Sequence, residues 1–533
     1  MQKEIKVDKK LEIILKVVII LSTVFFTFIA SLRYKNPYVV AGAITSGCIM
    51  AAIMIYKIEI KKINKRTLLY SLLPTWISFG MINQNVSNSS LKITLKSLND
   101  FSQLQMDIIK LLALPAIFYF VYLFIEKIIP IVIQFFKNLD KSEKVFILIT
   151  SIIALILPLV LTDVTTAFLY PVYQGKVHAY DVIYTMDFVG DVYHNLSSIA
   201  NDVRNPLFGI FAFPFAVIAE TISRGMNLGR AGYSFLMTMT SIHLVIIAIT
   251  LILLARMLHL EEKEKKNYYA LCYFTLPFII FGVTVEQYVI SVFYLILFLY
   301  LYTEKNNKKN YLYVASTGTI LTSGVLFPLI SKEKKIKKWI KDVWDCFLVF
   351  VSITVIGGQY PQIFEAVQNT KDLLGSFSGG VILKAKIFRF SYFIKDMFFA
   401  TPGEISYING FPSYRTIKPN AISIIGLILF VICLISIFLN RKNKVAILSA
   451  IWVAFSIVLL VGIGWGAIEN GYFLYSYYFS WAYLTLYYLF LKKVFEKNSK
   501  LFHASLLTTI FIMILTNLPV FYKIIDFATT YYK

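Results

Sequence analysis

The sequence predicts an all-α polytopic integral membrane protein with about 13 to 15 transmembrane helices, and three observations carry that expectation. Hydrophobic residues make up 58% of the 533-residue chain and charged residues only 15%, with a mean hydropathy of +0.69. A water-soluble core cannot hold that share of apolar side chains. Stretches of roughly 20 mostly apolar residues, the length needed to cross the hydrocarbon as helix, recur about fifteen times. Their continuous Leu, Ile, Phe and Val texture lacks the alternation that barrel strands require.

In order, the expected spans cover residues 11–32, 38–57, 67–83, 107–126 and 145–162, followed by a polar loop at 163–205. After it come 206–222, 234–258, 268–282, 284–302, 311–331 and 338–357, then 421–440, 444–464, 471–492 and 501–523. The chain is thus expected to divide into N-terminal helices (1–144), a core carrying the polar loop (145–357), a second outer segment (358–420) and C-terminal helices (421–533). MQKEIKVDKK precedes an apolar run with no small-residue cleavage site after it, so a retained first span is expected rather than a signal peptide.

The formal charge is +22, from 52 basic and 30 acidic residues. Most of the basic residues sit in the connectors 57–66, 137–144, 332–341, 441–444 and 492–500, as the positive-inside rule asks of cytoplasmic loops. Anionic lipid headgroups, not nucleic acid, are therefore the expected partners. With the N-terminus inside a multi-pass cell-membrane protein, Asp163 reaches the extracytoplasmic face, together with 358–420 and 464–471. Strict alternation fails in the middle, because EEKEKKN at 261–267 would fall outside if 206–222 and 234–258 both span. Making 206–222 or 311–331 a broken, re-entrant element repairs this. Pro214 interrupts the first, and Gly318, Gly324 and Pro328 the second. Cys48, Cys272, Cys346 and Cys433 form no CxxC pair, so neither a disulfide framework nor zinc is indicated.

Ionisable groups gathered where two membrane segments meet are costly and point to function. In the 163–205 loop, Asp163 follows a span directly, where a carboxylate is placed to act as general base toward an acceptor hydroxyl, or simply to end the helix. Asp187, Asp191 and His194 are spaced i, i+4, i+7, so a helix through 184–202 would put them on one face. That face is either wet surface or part of a site. A divalent metal there stays an open alternative, although three such groups match no specific metal signature. Asp202 and Arg204 precede Pro206, which is suited to start a helix whose N-terminus, with Arg204, would meet a phosphate; an ion pair closing the cap is the alternative. The 358–420 segment is unexpectedly basic for an outer loop, and its stretch VILKAKIFRFSYFIKDMFF reads as an interfacial helix. Lys384, Lys386 and Arg389 would there hold a lipid phosphate or ordinary anionic headgroups. Trp465, Glu469 and Asn470 lie above a tyrosine-rich helix and suit a sugar ring, as they suit an aromatic belt.

Asp163 after its span, NDVRNPLF at 201–208 and the glycine-broken ASTGTILTSGVLFPL at 315–329 together resemble the GT-C membrane glycosyltransferases, the class that includes protein O-mannosyltransferases and aminoarabinose transferases. NDVRNPLF is similar to that class's HPPL-like motif, with Asn205 where the histidine stands. The resemblance implies a first large outer loop with juxtamembrane helices and a catalytic acid at its start, here Asp163. It implies a polyprenyl-phosphate sugar donor entering from the outer leaflet and transfer to a cell-envelope glycan or lipid acceptor, with no nucleotide cofactor. Arg204 and the 384–389 cations would neutralise the departing phosphate. A polymerase or ligase using lipid-pyrophosphate oligosaccharides is the first competing reading, and a lipid or polysaccharide transporter the second. The Ile-, Lys-, Tyr- and Phe-rich usage resembles that of a low-GC bacterium.

Overall fold

A computed structural model describes residues 4–31, 37–56, 58, 60–87, 103–178, 180–187, 204–226, 233–306, 308–331, 336–359, 375, 378, 380–418, 420–467 and 471–533. In chain order the first helices are α1 (Lys9–Ser31), α2 (Pro37–Tyr56), α3 (Lys65–Ser87), α4 (Gln103–Lys127), α5 (Ile129–Lys137) and α6 (Lys141–Val164). Next come α7 (Phe208–Met226), α8 (Ser234–Met257), α9 (Glu262–Tyr273), α10 (Leu276–Val283), α11 (Tyr288–Thr303) and α12 (Lys309–Thr319), the last followed by a 3-10 segment, Leu321–Leu329. The remainder are α13 (Ile336–Ile356), α14 (Leu383–Phe398), α15 (Ile424–Leu439), α16 (Lys444–Ser456) with a π-helical continuation Ile457–Ile463, a 3-10 turn Gly471–Tyr475, α17 (Ser476–Val494) and α18 (Ser499–Tyr531). Among the described residues three antiparallel strand pairs punctuate them: β1 (Glu4–Lys6) with β2 (Lys62–Asn64), β3 (Val172–Tyr173) with β4 (Lys176–Val177), and β5 (Glu404–Ile408) with β6 (Phe411–Arg415).

Among the described residues nine helices are long and apolar enough to cross a membrane, or ten if the bent pair α10 and α11 forms one span. That is fewer than the 13 to 15 expected. The shortfall has local causes. α13 opens on IKKWIKD, the expected 311–331 span breaks into α12 and a 3-10 segment, and the two expected spans at 268–302 are α10 and α11, bent by 118° at Thr284 to Gln287. The other candidate for re-entry, 206–222, is instead a continuous helix with Pro214 inside it.

The chain divides into two compact units, one made of Met1–Leu139, Asp191–Gly225 and Tyr313–Val367, the other of Asp140–Gly190, Met226–Leu312 and Gln368–Lys533. In the first, α1 packs on α2 and α4, and α3 on α4, around Ile29, Ile82, Ala113 and Ile117. Pro115 interrupts the hydrogen-bond ladder of α4, and beside it the Ser22 hydroxyl of α1 accepts from the Ala116 amide at 2.8 Å. The α12 break is set by close approach: a Cβ on Gly318 would lie 2.8 Å from the Leu207 Cβ, and the Leu207 amide donates to the Gly318 carbonyl.

The second unit is organised around α17, where Tyr477, Trp481, Tyr483 and Tyr488 are buried. Some of its buried polar groups are paired, whereas the Tyr477 and Tyr488 hydroxyls and the Trp481 indole nitrogen have no hydrogen-bond partner among the described residues. The Trp452 indole donates to the Tyr478 carbonyl at 2.6 Å, and Tyr268 and Thr485 share a 2.8 Å hydrogen bond. α14 and α15 approach so closely that a Cβ on Gly426 would fall 1.7 Å from the Ser391 carbonyl oxygen. Gly426→Ala must therefore push two backbones apart, an overpacking cost of about 1–3 kcal/mol or more. A thermal melt of the solubilised protein should drop by several degrees, and an unchanged midpoint would contradict this packing.

One end of the second unit holds its basic connectors. Asp140 and Glu143 form a capping box at the start of α6. Glu143, 1% exposed, receives two hydrogen bonds from Arg256 at the end of α8, at 3.0 and 2.6 Å, and one from Lys265 of α9 at 2.8 Å. Lys492, at the end of α17, pairs with Glu264 at 2.7 Å. The run 261–267 thus shares its end with 137–144 and 492–500. α6 ends, and α8 begins, at the opposite loop end of this unit, where Tyr233 donates to the Tyr170 carbonyl at 3.4 Å.

Candidate active site

The loop end of the second unit is built by segments far apart in sequence. Thr165 leaves α6 in extended backbone and donates its hydroxyl to the carbonyls of Ala528 and Tyr532 at 2.8 and 2.9 Å. The Thr166 amide also donates to Tyr532. A tight hairpin with Gln174 and Gly175 at positive φ then turns the chain back, and the His178 ring lies 4.1 Å from that of Phe411. Burial, with Lys176 nearby, holds the His178 imidazole below its ordinary pKa.

Residues 180–187 do not begin the helix expected through 184–202. They form turns in which Asp181, Tyr184 and Thr185 have φ of 64°, 50° and 60°. Each such non-glycine residue costs of order 1–3 kcal/mol unless its surroundings impose it. Here they do: the Tyr184 amide donates to the Tyr414 carbonyl at 2.8 Å, the Tyr414 amide donates to Val182 at 2.9 Å, and Arg415 lies 3.5 Å from Asp181. Burial raises the Asp181 carboxyl above its usual range, with Arg415 pulling the other way. Burial likewise drives the Tyr184 hydroxyl well above its ordinary pKa.

The backbone at Asp187 meets the Glu286 carboxylate where this loop touches the bend between α10 and α11. The Asp187 amide donates to Glu286 Oε1 at 2.6 Å, and Glu286 is 2% exposed. His178, Asp187 and Glu286 line a cavity of about 30 Å³, room for a water molecule rather than a sugar ring. Glu286 stands just before the N-terminus of α11, where the helix dipole favours negative charge. On the far side of the bend, His243 Nδ1 lies 3.2 Å from the Thr284 carbonyl.

A second polar cluster adjoins. At the end of α14, Lys395 and Asp396 are 1% and 3% exposed and pair at 2.5 Å. Lys395 donates to Thr401 Oγ1 at 3.0 Å, the Thr401 amide donates to Asp396 at 3.1 Å, Tyr392 hydrogen-bonds Thr401, and the ammonium sits 4.3 Å from the Tyr392 ring centroid. Burial pushes the Asp396 carboxyl up to about 6, against the opposing pull of Lys395. That value lies above the ordinary 3.8, so the folded state holds this proton more tightly than the unfolded chain. Its contribution to stability is full below about pH 4 and is lost as pH rises through about 6. Asp396→Asn should therefore flatten the fall in melting temperature between pH 4 and 6.5; an identical slope in the parent would contradict the assignment.

The expected site residues fare differently. Asp163 is exposed on the last turn of α6, with no partner among the described residues. Asp187 is at the cavity, but in turn structure rather than on a helical face. Arg204 belongs to the first unit, where its carbonyl accepts from the Leu321 amide at 2.8 Å. The helix after Pro206 starts at Phe208. The basic helix forms as expected at Leu383–Phe398, but it is interfacial only in its first half, because every residue from Phe390 to Phe398 is buried. Lys384 is exposed. Lys386 donates to the Ile463 carbonyl at 3.1 Å across Gly464, and Arg389 Nη1 is buried with no hydrogen-bond partner among the described residues. Trp465 donates to the Tyr475 hydroxyl at 2.8 Å, which fixes its ring rather than offering it. Asp191, His194, Asp202, Glu469 and Asn470 lie outside the described residues.

An aromatic bridge joins the acids to the cations. Tyr184 packs on Phe473 with centroids 4.3 Å apart, and the neighbouring Tyr472 lies against Phe393 at 6.2 Å and near the Arg389 charge. Among the described residues no cluster of three or more His, Cys, Asp or Glu could hold a metal ion. No family model, curated protein or solved structure matches this chain.

Proposed function

We propose that the chain is a membrane glycosyltransferase that moves a sugar from a polyprenyl-phosphate donor to a hydroxyl of a cell-envelope acceptor, at the loop end of the second unit and on the extracytoplasmic face. The observation that carries this reading is the pairing of residues 182–184 with Tyr414, which holds an acid-bearing loop and the segment containing the cationic α14 in one unit. A carboxylate, Glu286 or Asp187 at the cavity or Asp163 on the last turn of α6, takes the acceptor proton. The acceptor oxygen bonds to the anomeric carbon, the bond from that carbon to the phosphate oxygen breaks, and the phosphate leaves with the electron pair. Lys384 and Arg389 meet its charge, the kind of fixed electrostatic stabilisation worth roughly 3–4 kcal/mol where single donors have been removed. The donor's prenyl chain lies along the exposed Ile382, Leu383, Ile387 and Phe388.

The test is proteoliposome-reconstituted protein offered either a labelled sugar on polyprenyl phosphate or a lipid-pyrophosphate oligosaccharide. Transfer from the first alone supports the reading, whereas chain extension from the second makes the protein a polymerase. One observation favours a carrier instead: a buried carboxylate at the break of a sharply bent helix pair is where ion-coupled transporters place a coupling site. Substrate movement without bond cleavage in the same vesicles would establish that reading.

A further inference from the structure

The first unit carries a large concavity unconnected with the reaction just described. It measures about 660 Å³ on the flank of α1, α3 and α4, and its wall includes Ile19, Ile63, Leu72, Leu114, Phe118 and Tyr119. That volume falls within the roughly 300–1,000 Å³ of sites that enclose small ligands. Three features say what fills it. The wall is almost wholly apolar, and α1 and α4, which supply most of it, are long and apolar enough to lie in the hydrocarbon, so its occupant is a hydrocarbon chain. Ile60 and Ile63 form one end, and the residues between and after them, Lys61, Lys62, Lys65 and Arg66, are exposed, so that end presents concentrated positive charge. The Tyr119 hydroxyl is buried with no hydrogen-bond partner among the described residues, a polar group that a bound ester or phosphate oxygen would satisfy.

We propose that this groove holds an acyl chain of an anionic glycerophospholipid, with the phosphate against residues 61–66 and an ester oxygen within reach of Tyr119. Basic residues at a membrane surface select anionic over zwitterionic headgroups, and the concave apolar wall converts that surface attraction into a defined site. β1 keeps the basic segment in place: it pairs with β2 in the register Glu4 to Asn64 and Lys6 to Lys62, and Glu4 and Lys62 pair at 2.8 Å.

The test uses the full chain, purified in detergent, stripped of lipid and titrated with phosphatidylglycerol or phosphatidylcholine under native mass spectrometry. The expected result is one retained phosphatidylglycerol per chain, with at least about tenfold preference over phosphatidylcholine. Leu114→Trp fills the groove and should abolish retention of both lipids. Lys61→Gln/Lys62→Gln/Lys65→Gln leaves the wall intact and should bring phosphatidylglycerol down to the phosphatidylcholine level. Leu148→Trp, on the exposed face of α6, should leave retention at the parental level. Because Leu114→Trp stands or falls with its fold, the charge variant provides an independent readout. Equal retention by parent and Leu114→Trp, absence of headgroup preference, or a mass showing a second copy of the chain in place of lipid would each overturn the proposal.

Discussion

Asp396→Ala should destabilise the protein by about 3–5 kcal/mol, because it strands the Lys395 ammonium, 1% exposed, without its counter-charge. Against a total stability of about 5–15 kcal/mol this is enough to lose much of the folded population. The pair itself is a different matter. Two charges taken out of water regain little from each other, so replacing both with apolar residues of similar size is expected to be near neutral or stabilising. Lys395→Met/Asp396→Leu should thus melt close to the parent, while Asp396→Ala melts far below it. If single and double variants fall by the same amount, the cluster is held by Thr401 and Tyr392 rather than by charge. The double variant also separates structure from chemistry: stable protein without transfer would make the pair part of the reaction, and stable, active protein would make it a positioning element.

The second large effect is expected at Arg389. One guanidinium nitrogen is buried with no hydrogen-bond partner among the described residues, which leaves a donor that the phosphate of the proposed lipid substrate would satisfy. Arg389→Ala should reduce kcat/KM for the lipid donor by about 10²–10³, the range seen when a single stabilising donor is removed from an active site. Arg389→Lys should recover only part of it, since a point charge lacks the fork that grips a phosphate. Lys386→Ala should lose far less, because Lys386 is already engaged with the Ile463 carbonyl. Equal losses at the two positions would indicate a diffuse surface potential rather than a phosphate seat.

Much of the architecture was legible, and the reasons for the exceptions are physical. Hydropathy located the nine helices among the described residues that are long and apolar enough to cross a membrane, and the Gly318, Gly324 and Pro328 spacing marks 311–331, where the chain breaks after α12. What hydropathy does not resolve is direction. LPFIIFGV and YVISVFYLILFLYLYT read as two separate spans, and only the bent pair shows that TVEQ between them delivers Glu286 to the site. A lone acid between two apolar runs was the available signal. Lys395 and Asp396 fall within the stretch expected as an interfacial helix. Their flanks, SYFI and MFFA, carry almost no other polarity, which a wet face would not tolerate. The pairing of Val182 and Tyr184 with Tyr414 spans more than two hundred positions and leaves no periodic trace, so the pattern that predicts a helix from 184 does not foresee the turns at 184–187.

The most direct test of the central claim is transfer of labelled sugar from a polyprenyl-phosphate donor in proteoliposomes, comparing the parent with Glu286→Gln and Asp163→Asn. The neutral amide keeps the shape of Glu286 and the hydrogen bond from the Asp187 amide, so folding should survive while proton acceptance is lost. General-base removal typically costs about 10²–10⁴ in rate. The account predicts a loss of that size for Glu286→Gln and a smaller one for Asp163→Asn. Parental turnover in Glu286→Gln would contradict it.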